Sequence, residues 1–147
     1  MSTLSDSFGE GAILIKESVF DRNQAITIAG DLLVASQRVK PEYVDSMLEA
    51  IDKFGPYIVI APGIALAHGK PSEAVVATGL SLLIIREPVE FKHSQNDPVQ
   101  LVFGLAATDH DSHIEVMANL AEFLSDSKHV NSLLTCSNIG QIRALIA

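Results

Sequence analysis

The segment that ends at His68 contains the residue types most able to do chemistry. An apolar run at residues 64–67 is closed by His68, and Gly69 and Lys70 follow at once. A histidine ring is mostly neutral near pH 7, so one ring nitrogen has a free lone pair and can act as a nucleophile. A phosphoryl group on that nitrogen needs donors for its anionic oxygens, and we expect the backbone amides around Gly69, with Lys70 as a nearby cation, to supply them. The alternative is a strand-end histidine hydrogen-bonded to a neighbouring loop, which the spacing by itself favours.

A second polar cluster, TDHDSH at residues 108–113, lies between a long apolar run and a predicted helix. Anion and ligand sites of α/β folds are often found at such strand ends and helix starts. His113 falls in the first helical turn, on the same side as Leu120, so we expect its ring to point inward. It could donate a hydrogen bond to a phosphoryl oxygen, or it could be a half-buried histidine satisfied by a carboxylate such as Asp109.

The remaining reactive side chains indicate no metal, cofactor or hydrolase site. His110, His113 and the aspartates beside them match no standard zinc spacing, and the single cysteine, Cys136, is interpreted as a small core residue. His93 and His129 are interpreted as surface residues. The sequence contains neither a Walker-type phosphate loop nor a G-x-S-x-G elbow.

Composition narrows the class of protein further. The 147 residues suit one domain spanning 1–147, and the net charge of −8 disfavours binding to nucleic acid or anionic lipid. No apolar stretch is long enough to span a bilayer, and the polar N-terminus differs from a secretory signal. With one cysteine and therefore no internal disulfide, these features predict a cytoplasmic protein.

The spacing of apolar residues and capping signals predicts both helices and strands. Asp21 with Gln24 begins one helix, and a second starts with Pro41 at its first position and ends at Gly55. Further helices are predicted from Ser112 with Glu115, at residues 129–134, and from Asn138 with Gln141. Strands are predicted at residues 12–15 (an edge strand), 57–60, 64–67, 78–85 and 99–107, with loops at residues 87–88 and 94–98.

The order of these elements predicts the fold class. Strands 78–85 and 99–107 are almost continuously apolar, which is typical of strands buried on both faces. The regular alternation of a doubly wound fold is missing. We therefore expect an α/β fold with a mixed β-sheet flanked by helices on both faces.

At this level of detail the chain resembles the enzyme IIA domains of the bacterial phosphotransferase system, in the mannitol/fructose class. The resemblance covers residues 25–33 and 41–48, the His68-Gly69 pair, and the helix start SHIE at residues 112–115. Within the class the chain is most similar to the ascorbate branch. The stretches FGPY at residues 54–57, IAPG at 60–63 and NDPV at 96–99 carry that similarity.

The resemblance implies a function for each candidate residue. His68 corresponds to the histidine that accepts a phosphoryl group from phospho-HPr and donates it to a cysteine of a IIB protein. A IIC transporter would then take up a carbohydrate, L-ascorbate in this branch. His113 corresponds to the second histidine, which stabilises the phosphorylated state, and this chemistry uses no cofactor or metal. Two positions depart from the mannitol-type pattern: Ala50 lies where an arginine is expected, and Ala67 replaces a proline.

A regulatory module, whose phosphorylated histidine acts only as a signal through protein binding, is the alternative function. For the carrier, residues 54–71 are more apolar than a histidine-presenting turn requires. Tyr57, Ile58 and Ile60 cannot all point into one core face, so we expect some of this stretch, together with Ile64 and Leu66, to form a docking surface at the rim of the site, with acidic residues around it.

Overall fold

One five-stranded mixed sheet forms the centre of the computed structural model, which describes residues 3–147. The strands are β1 (Ile13–Lys16), β2 (Val59–Ala61), β3 (Ile64–His68), β4 (Gly79–Val89) and β5 (Val99–Ala106). Their order across the sheet is β1-β4-β5-β3-β2. The pairs β1·β4 and β3·β5 are parallel, whereas β4·β5 and β2·β3 are antiparallel. The predicted mixed sheet, with β1 at one edge, is confirmed.

Helices cover both faces of this sheet, as predicted. They are α1 (Leu4–Ser7), α2 (Arg22–Ala35), α3 (Glu42–Phe54), α4 (His110–Leu124), α5 (Ser127–Thr135) and α6 (Ile139–Ile146). Apolar side chains of α2 and α3 pack on one face, and those of α4, α5 and α6 pack on the other. Within residues 3–147, no helix combines the length and the apolar character needed to cross a membrane.

The pleat of β3 decides which face its histidine approaches. Ala65 and Ala67 belong to the core beneath α2 and α3, whereas Ile64 and Leu66 belong to the core beneath α4, α5 and α6. Successive strand residues point to opposite faces. His68, next in the alternation, therefore faces the side of the sheet covered by α4.

Capping residues fix several helix ends where the sequence predicted them. The Asp21 and Asn138 side chains each accept a hydrogen bond from the backbone N–H three residues on, at 2.9 Å, and so begin α2 and α6. Gly55 ends α3 with a φ of +75°, a left-handed conformation that favours glycine. Cys136 is buried in the core, as predicted.

Two predicted helix starts were wrong. Helix α4 begins at His110, because the Asp109 carboxylate accepts a hydrogen bond from the Ser112 N–H at 2.7 Å and acts as the cap in place of Ser112. This bond also lowers the pKa of the Asp109 carboxyl. Pro41 lies at the capping position of α3, one residue before its first helical residue.

Two strand boundaries also differ from the prediction. Residues 57–60 form a short 3₁₀ turn, Pro56–Ile58, followed by the three-residue strand β2, because Pro56 pre-sets the first turn position. Glu87 and Pro88, predicted as a loop, lie inside β4. The register of β4 against β5 shifts between Ile84 and Val89, and such an irregularity tolerates a proline that cannot donate to the ladder.

His93 and His129, interpreted as surface residues, are partly exposed, and their rings contact neighbouring groups. The Nδ1 atom of His93 accepts hydrogen bonds from the backbone N–H groups of Gln95 and Asn96, at 3.1 and 3.0 Å. The His129 ring stacks on Phe123 with a centroid distance of 4.3 Å. Both rings thus have structural partners.

Candidate functional site

The sheet topology brings the two predicted polar clusters together. Because β3 and β5 are parallel neighbours, their carboxyl ends lie side by side, with His68 paired to Leu105. Helix α4 begins four residues after β5 ends. The start of α4 is therefore next to His68, on the face to which the His68 ring points.

The His68 ring is held by its Nδ1 atom. Nδ1 lies 3.3 Å from the carbonyl oxygen of Leu66, and a carbonyl can only accept, so Nδ1 carries the proton. Nε2 consequently holds the free lone pair in the neutral ring. Burial lowers the pKa of His68, the Leu66 carbonyl raises it, and the nearby His113 lowers it again. The net lowering keeps the ring neutral, and its Nε2 nucleophilic, at neutral pH.

Tyr57 occupies the other side of this ring. Its hydroxyl is 3.3 Å from Nε2 of His68, and the two rings meet edge to face with a centroid distance of 5.8 Å. Phe54 packs edge to face on Tyr57 in turn, at 5.9 Å. Three rings therefore run from the end of α3 through the 3₁₀ turn to the end of β3.

His113 lies across a small pocket from His68. The pocket has a volume of about 100 Å³ and is lined by Tyr43, His68, Gly69, Pro71, Leu105, Ala107 and His113. Beyond His113 it continues into a wider cleft of about 300 Å³, whose lining includes Asp109 and His110. The inner pocket has room between the two histidines for a group of a few heavy atoms, such as a phosphoryl group.

The start of α4, and with it His113, is fixed by hydroxyl groups at the amino end of β4. The Thr78 hydroxyl accepts a hydrogen bond from the Thr108 N–H at 3.0 Å and donates to the Ser112 hydroxyl at 2.8 Å. Ser112 in turn donates to the Asp109 carbonyl at 3.2 Å. The histidine is thus presented by a helix turn tied to the sheet.

Gly69 packs so closely against α3 that a side chain at this position would not fit. Its N–H donates to the Tyr43 hydroxyl at 3.0 Å, and the Lys70 N–H donates to the Ser46 hydroxyl at 2.8 Å. A Cβ on Gly69 would lie 2.6 Å from Oγ of Ser46 and 3.2 Å from the Met47 nitrogen. The amides of Gly69 and Lys70, expected to face a phosphoryl group, are bonded to α3 instead, and Gly69 allows the close approach. The Lys70 side chain is exposed next to them.

Tyr43 joins the ends of two strands beneath the site. While it accepts from the Gly69 N–H, its buried hydroxyl donates to the Leu105 carbonyl at 2.8 Å. Burial raises the pKa of Tyr43, so the hydroxyl stays protonated at neutral pH. Tyr43, Ser46, Thr78 and the hydroxyl of Tyr57 were not recognised from the sequence. A tyrosine is a weak signal by itself, because its partner depends on long-range packing.

No arginine lines the inner pocket. Each of the four arginines donates to backbone carbonyls elsewhere: Arg22 to Phe91, Arg38 to Asp6, Arg86 to Leu134 and Cys136, and Arg143 to Phe8 and Gly9. Ala50, at the position where an arginine was expected, lies half-buried on α3. In the part of the chain that the structure describes, no group of three His, Cys, Asp or Glu side chains is placed to hold a metal ion.

Apolar side chains are exposed on both sides of the site. Phe54, Tyr57 and Ile60 are each about half exposed on one side, and Ile114, which follows His113, is 51% exposed on the other. Ile64 and Leu66 are buried, so their predicted place in a docking surface was wrong. The exposed acidic residues Glu49, Asp52, Asp109 and Asp111 lie on α3 and at the start of α4.

Comparison with known proteins gives one consistent result. Residues 6–147 match the family described as "Phosphoenolpyruvate-dependent sugar phosphotransferase system, EIIA 2". The chain is 37% identical over 145 residues to the ascorbate-specific PTS system EIIA component of Escherichia coli (strain K12). This match covers 97% of this chain and 94% of that protein.

Solved structures of the same type share the fold. The mannitol-specific cryptic phosphotransferase enzyme IIA CmtB from Escherichia coli is 32% identical, with a TM-score of 0.88 over 99% of this chain and 98% of that chain. Enzyme IIAMTL from Escherichia coli, solved in complex with phosphorylated enzyme IIBMTL, is 28% identical, with a TM-score of 0.82 over 94% of this chain and 95% of the other.

Proposed function

We propose that this chain, which belongs to the EIIA 2 family of the phosphoenolpyruvate-dependent sugar phosphotransferase system, carries a phosphoryl group on Nε2 of His68. Members of this family are phosphotransferases that work through phosphohistidine. The group comes from the phosphohistidine of HPr and passes to a cysteine of a IIB protein. One observation carries this proposal: Nδ1 donates to the Leu66 carbonyl, which leaves the Nε2 lone pair for a new bond.

The chemistry balances without a metal or a nucleotide. The Nε2 lone pair of His68 forms a bond to phosphorus while the P–N bond of phospho-HPr breaks, and its electron pair returns to the HPr imidazole. The His68 ring keeps its Nδ1 proton and becomes an imidazolium, which the Leu66 carbonyl stabilises. A IIB thiolate then forms the S–P bond, and the electron pair of the breaking N–P bond returns to Nε2. The protein's contribution is positioning and charge stabilisation.

His113 and Lys70 are the groups proposed to stabilise the phosphoryl oxygens. His113 lines the inner pocket opposite His68, where a ring N–H can donate to a phosphoryl oxygen. With all four arginines bonded elsewhere, Lys70 is the cation nearest in sequence to the phosphorylated residue. Gly69 supports the site by allowing close packing on α3 rather than by donating its N–H.

The proposed acceptor is an ascorbate-type IIB protein. We propose that the chain is one domain that works in the cytoplasm and contributes to carbohydrate uptake through a IIC transporter. Similarity to ascorbate-specific EIIA components supports the branch, and the solved complex of a mannitol-type relative with its IIB supports the class of partner. A surface of exposed Phe54, Tyr57, Ile60 and Ile114 between acidic helices suits a partner with an apolar centre and basic residues around it.

A reconstituted relay tests this proposal. The protein is incubated with phosphoenolpyruvate, enzyme I and HPr, and then offered ascorbate-, mannitol- and fructose-type IIB proteins in turn. We expect labelling of His68 and fastest transfer to the ascorbate-type IIB, with rates that fall as salt screens the charged rim. Equal rates to all three would remove the assignment to the ascorbate branch but keep the carrier. Labelling without transfer to any IIB would favour the regulatory module instead.

A further inference from the structure

We propose that Tyr57 is a further catalytic residue, whose hydroxyl donates to the Nε2 lone pair of His68 between transfers and to a phosphoryl oxygen while the group is carried. This inference rests on the proposed function, since it assumes that Nε2 accepts the phosphoryl group.

The direction of the hydrogen bond follows from the tautomer of His68. Because Nδ1–H donates to the Leu66 carbonyl, Nε2 is an acceptor, and the Tyr57 hydroxyl at 3.3 Å must be the donor. Burial raises the pKa of Tyr57, so the hydroxyl keeps its proton at neutral pH. Besides His68, the titratable groups that line the inner pocket are Tyr43 from α3 and His113 from α4. The Tyr43 hydroxyl donates its hydrogen bond to the Leu105 carbonyl. Tyr57 is therefore the tyrosine whose hydroxyl can donate to Nε2.

The local fold holds Tyr57 in this position. Gly55 ends α3 in a left-handed conformation, and the 3₁₀ turn Pro56–Ile58 follows directly. Ile58 is buried in the core and anchors the turn from below, while Phe54 packs against the Tyr57 ring from outside. An edge-to-face contact with the His68 ring, at an interplanar angle of 84°, completes the arrangement. A tyrosine that served only for docking would not need its hydroxyl directed at Nε2.

The phosphoryl cycle gives this hydroxyl two successive acceptors. When Nε2 bonds to phosphorus its lone pair is used, so the O–H···N hydrogen bond must break. The phosphorus atom now bonded to Nε2 carries the phosphoryl oxygens. A small rotation of the Tyr57 side chain therefore brings its hydroxyl to one of these oxygens. A hydrogen bond to a charged acceptor is about twice as strong as one between neutral groups. When the group leaves for a IIB thiolate, the electron pair returns to Nε2 and the hydroxyl donates to it again.

Tyr57→Phe tests this inference because it removes the hydroxyl and keeps the ring. NMR titration of the unphosphorylated protein should show the pKa of His68 higher in the variant, since a donor to Nε2 favours the neutral ring. The rate of phosphoryl transfer from phospho-HPr to His68 should fall by up to about tenfold, because the hydroxyl exchanges the neutral Nε2 for a charged phosphoryl oxygen that binds it about twice as strongly. Thr135→Val, which deletes an exposed hydroxyl bonded to carbonyls within α5, should change neither quantity.

The outcomes separate this inference from the proposed function. A labelled parent protein together with a Tyr57→Phe variant that titrates and accepts phosphoryl like the parent would overturn the role of Tyr57 alone. Slower transfer to IIB with an unchanged His68 pKa and an unchanged rate from HPr would make Tyr57 a docking residue and also overturn it. A parent protein that phospho-HPr fails to label would overturn the proposed function, and this inference with it.

Discussion

The end of β3 and the loop after β4 each present a half-buried histidine, but they use it in opposite ways. In the loop, His93 Nδ1 accepts two backbone N–H bonds, from Gln95 and Asn96. At the end of β3, His68 Nδ1 donates to a carbonyl of its own strand and leaves Nε2 without a proton beside the Tyr57 hydroxyl, in a ring that lines a pocket. The chemistry of each histidine therefore depends on which nitrogen the backbone occupies and on what the other nitrogen faces.

The loop is also closed by its own polar groups. The Asp97 carboxylate accepts hydrogen bonds from the N–H groups of Phe91 and His93, at 3.0 and 3.1 Å, and the Asn96 carbonyl accepts from the Gly63 N–H at 2.9 Å. Its histidine thus belongs to a set of satisfied backbone contacts that hold the chain before β5. The end of β3 has comparable backbone contacts through Tyr43 and Ser46, but these leave the His68 ring available.

Exchanging each histidine for alanine should give the largest difference between the two regions. His68→Ala should abolish labelling by phospho-HPr, whereas His93→Ala should be labelled like the parent protein. His93→Ala should lose about 1 kcal/mol in the free energy of unfolding, because the backbone N–H donors of Gln95 and Asn96 lose their acceptor. Mass spectrometry under alkaline conditions, which preserve phosphohistidine, measures the label, and chemical denaturation measures stability. A label that persists in His68→Ala, or disappears from a folded His93→Ala protein, would show that the two histidines do not differ in function in this way.

The pocket at the end of β3 contains a second histidine, His113. His113→Ala removes a donor to a charged acceptor, worth roughly 1.5–3 kcal/mol, so phosphoryl transfer through His68 should slow about tenfold or more while labelling persists. His113→Gln keeps an N–H donor at this position and should recover part of the rate. Stopped-flow or quench measurements with phospho-HPr give both rates. Parent-like kinetics in His113→Ala would make this histidine structural, like His93.

A smaller effect, on stability, is expected at Gly69. In Gly69→Ala the new Cβ would lie 2.6 Å from Oγ of Ser46, and overpacking of this kind costs about 1–3 kcal/mol in the free energy of unfolding. The new Cβ would also lie 2.9 Å from Cβ of Ser46, and Ser46→Gly removes both atoms, so the double variant should lose less stability than the sum of the two single variants. Chemical denaturation of all four proteins measures the coupling. Strict additivity would show that Gly69 is not required for its close approach to α3.

The sequence predicted those parts of the fold that local chemistry determines. The caps at Asp21 and Asn138, the glycine that ends α3, and the strand that leads to His68 all depend on residues close in the chain. The predicted start of α4 was wrong because Asp109, three residues before Ser112, is the residue that caps the helix. The carboxylate caps the helix, and the serine hydroxyl interacts with Thr78 of a distant segment.

The sequence identified candidate residues for the site, but it did not predict the contacts between the elements that carry them. His68 and His113 were identified from the motif and the resemblance, and the structure brings them to one pocket through the parallel pairing of β3 and β5. That pairing, and the hydroxyls of Tyr43 and Tyr57, join residues from separate elements. A local pattern does not specify such contacts. The proposed roles of the two histidines, Gly69 and Lys70 stay predictions for the experiments above.

Phosphoryl transfer through Nε2 is tested by identifying the ring nitrogen of His68 that carries the phosphoryl group. In the phosphorylated protein, long-range ¹H–¹⁵N NMR of the His68 ring distinguishes a phosphorylated Nε2 from a phosphorylated Nδ1. Since Nδ1–H donates to the Leu66 carbonyl, we expect phosphorus on Nε2 and a proton retained on Nδ1. A phosphoryl group found on Nδ1 of His68, or on any other histidine, would show that Nε2 of His68 is not the phosphoryl acceptor.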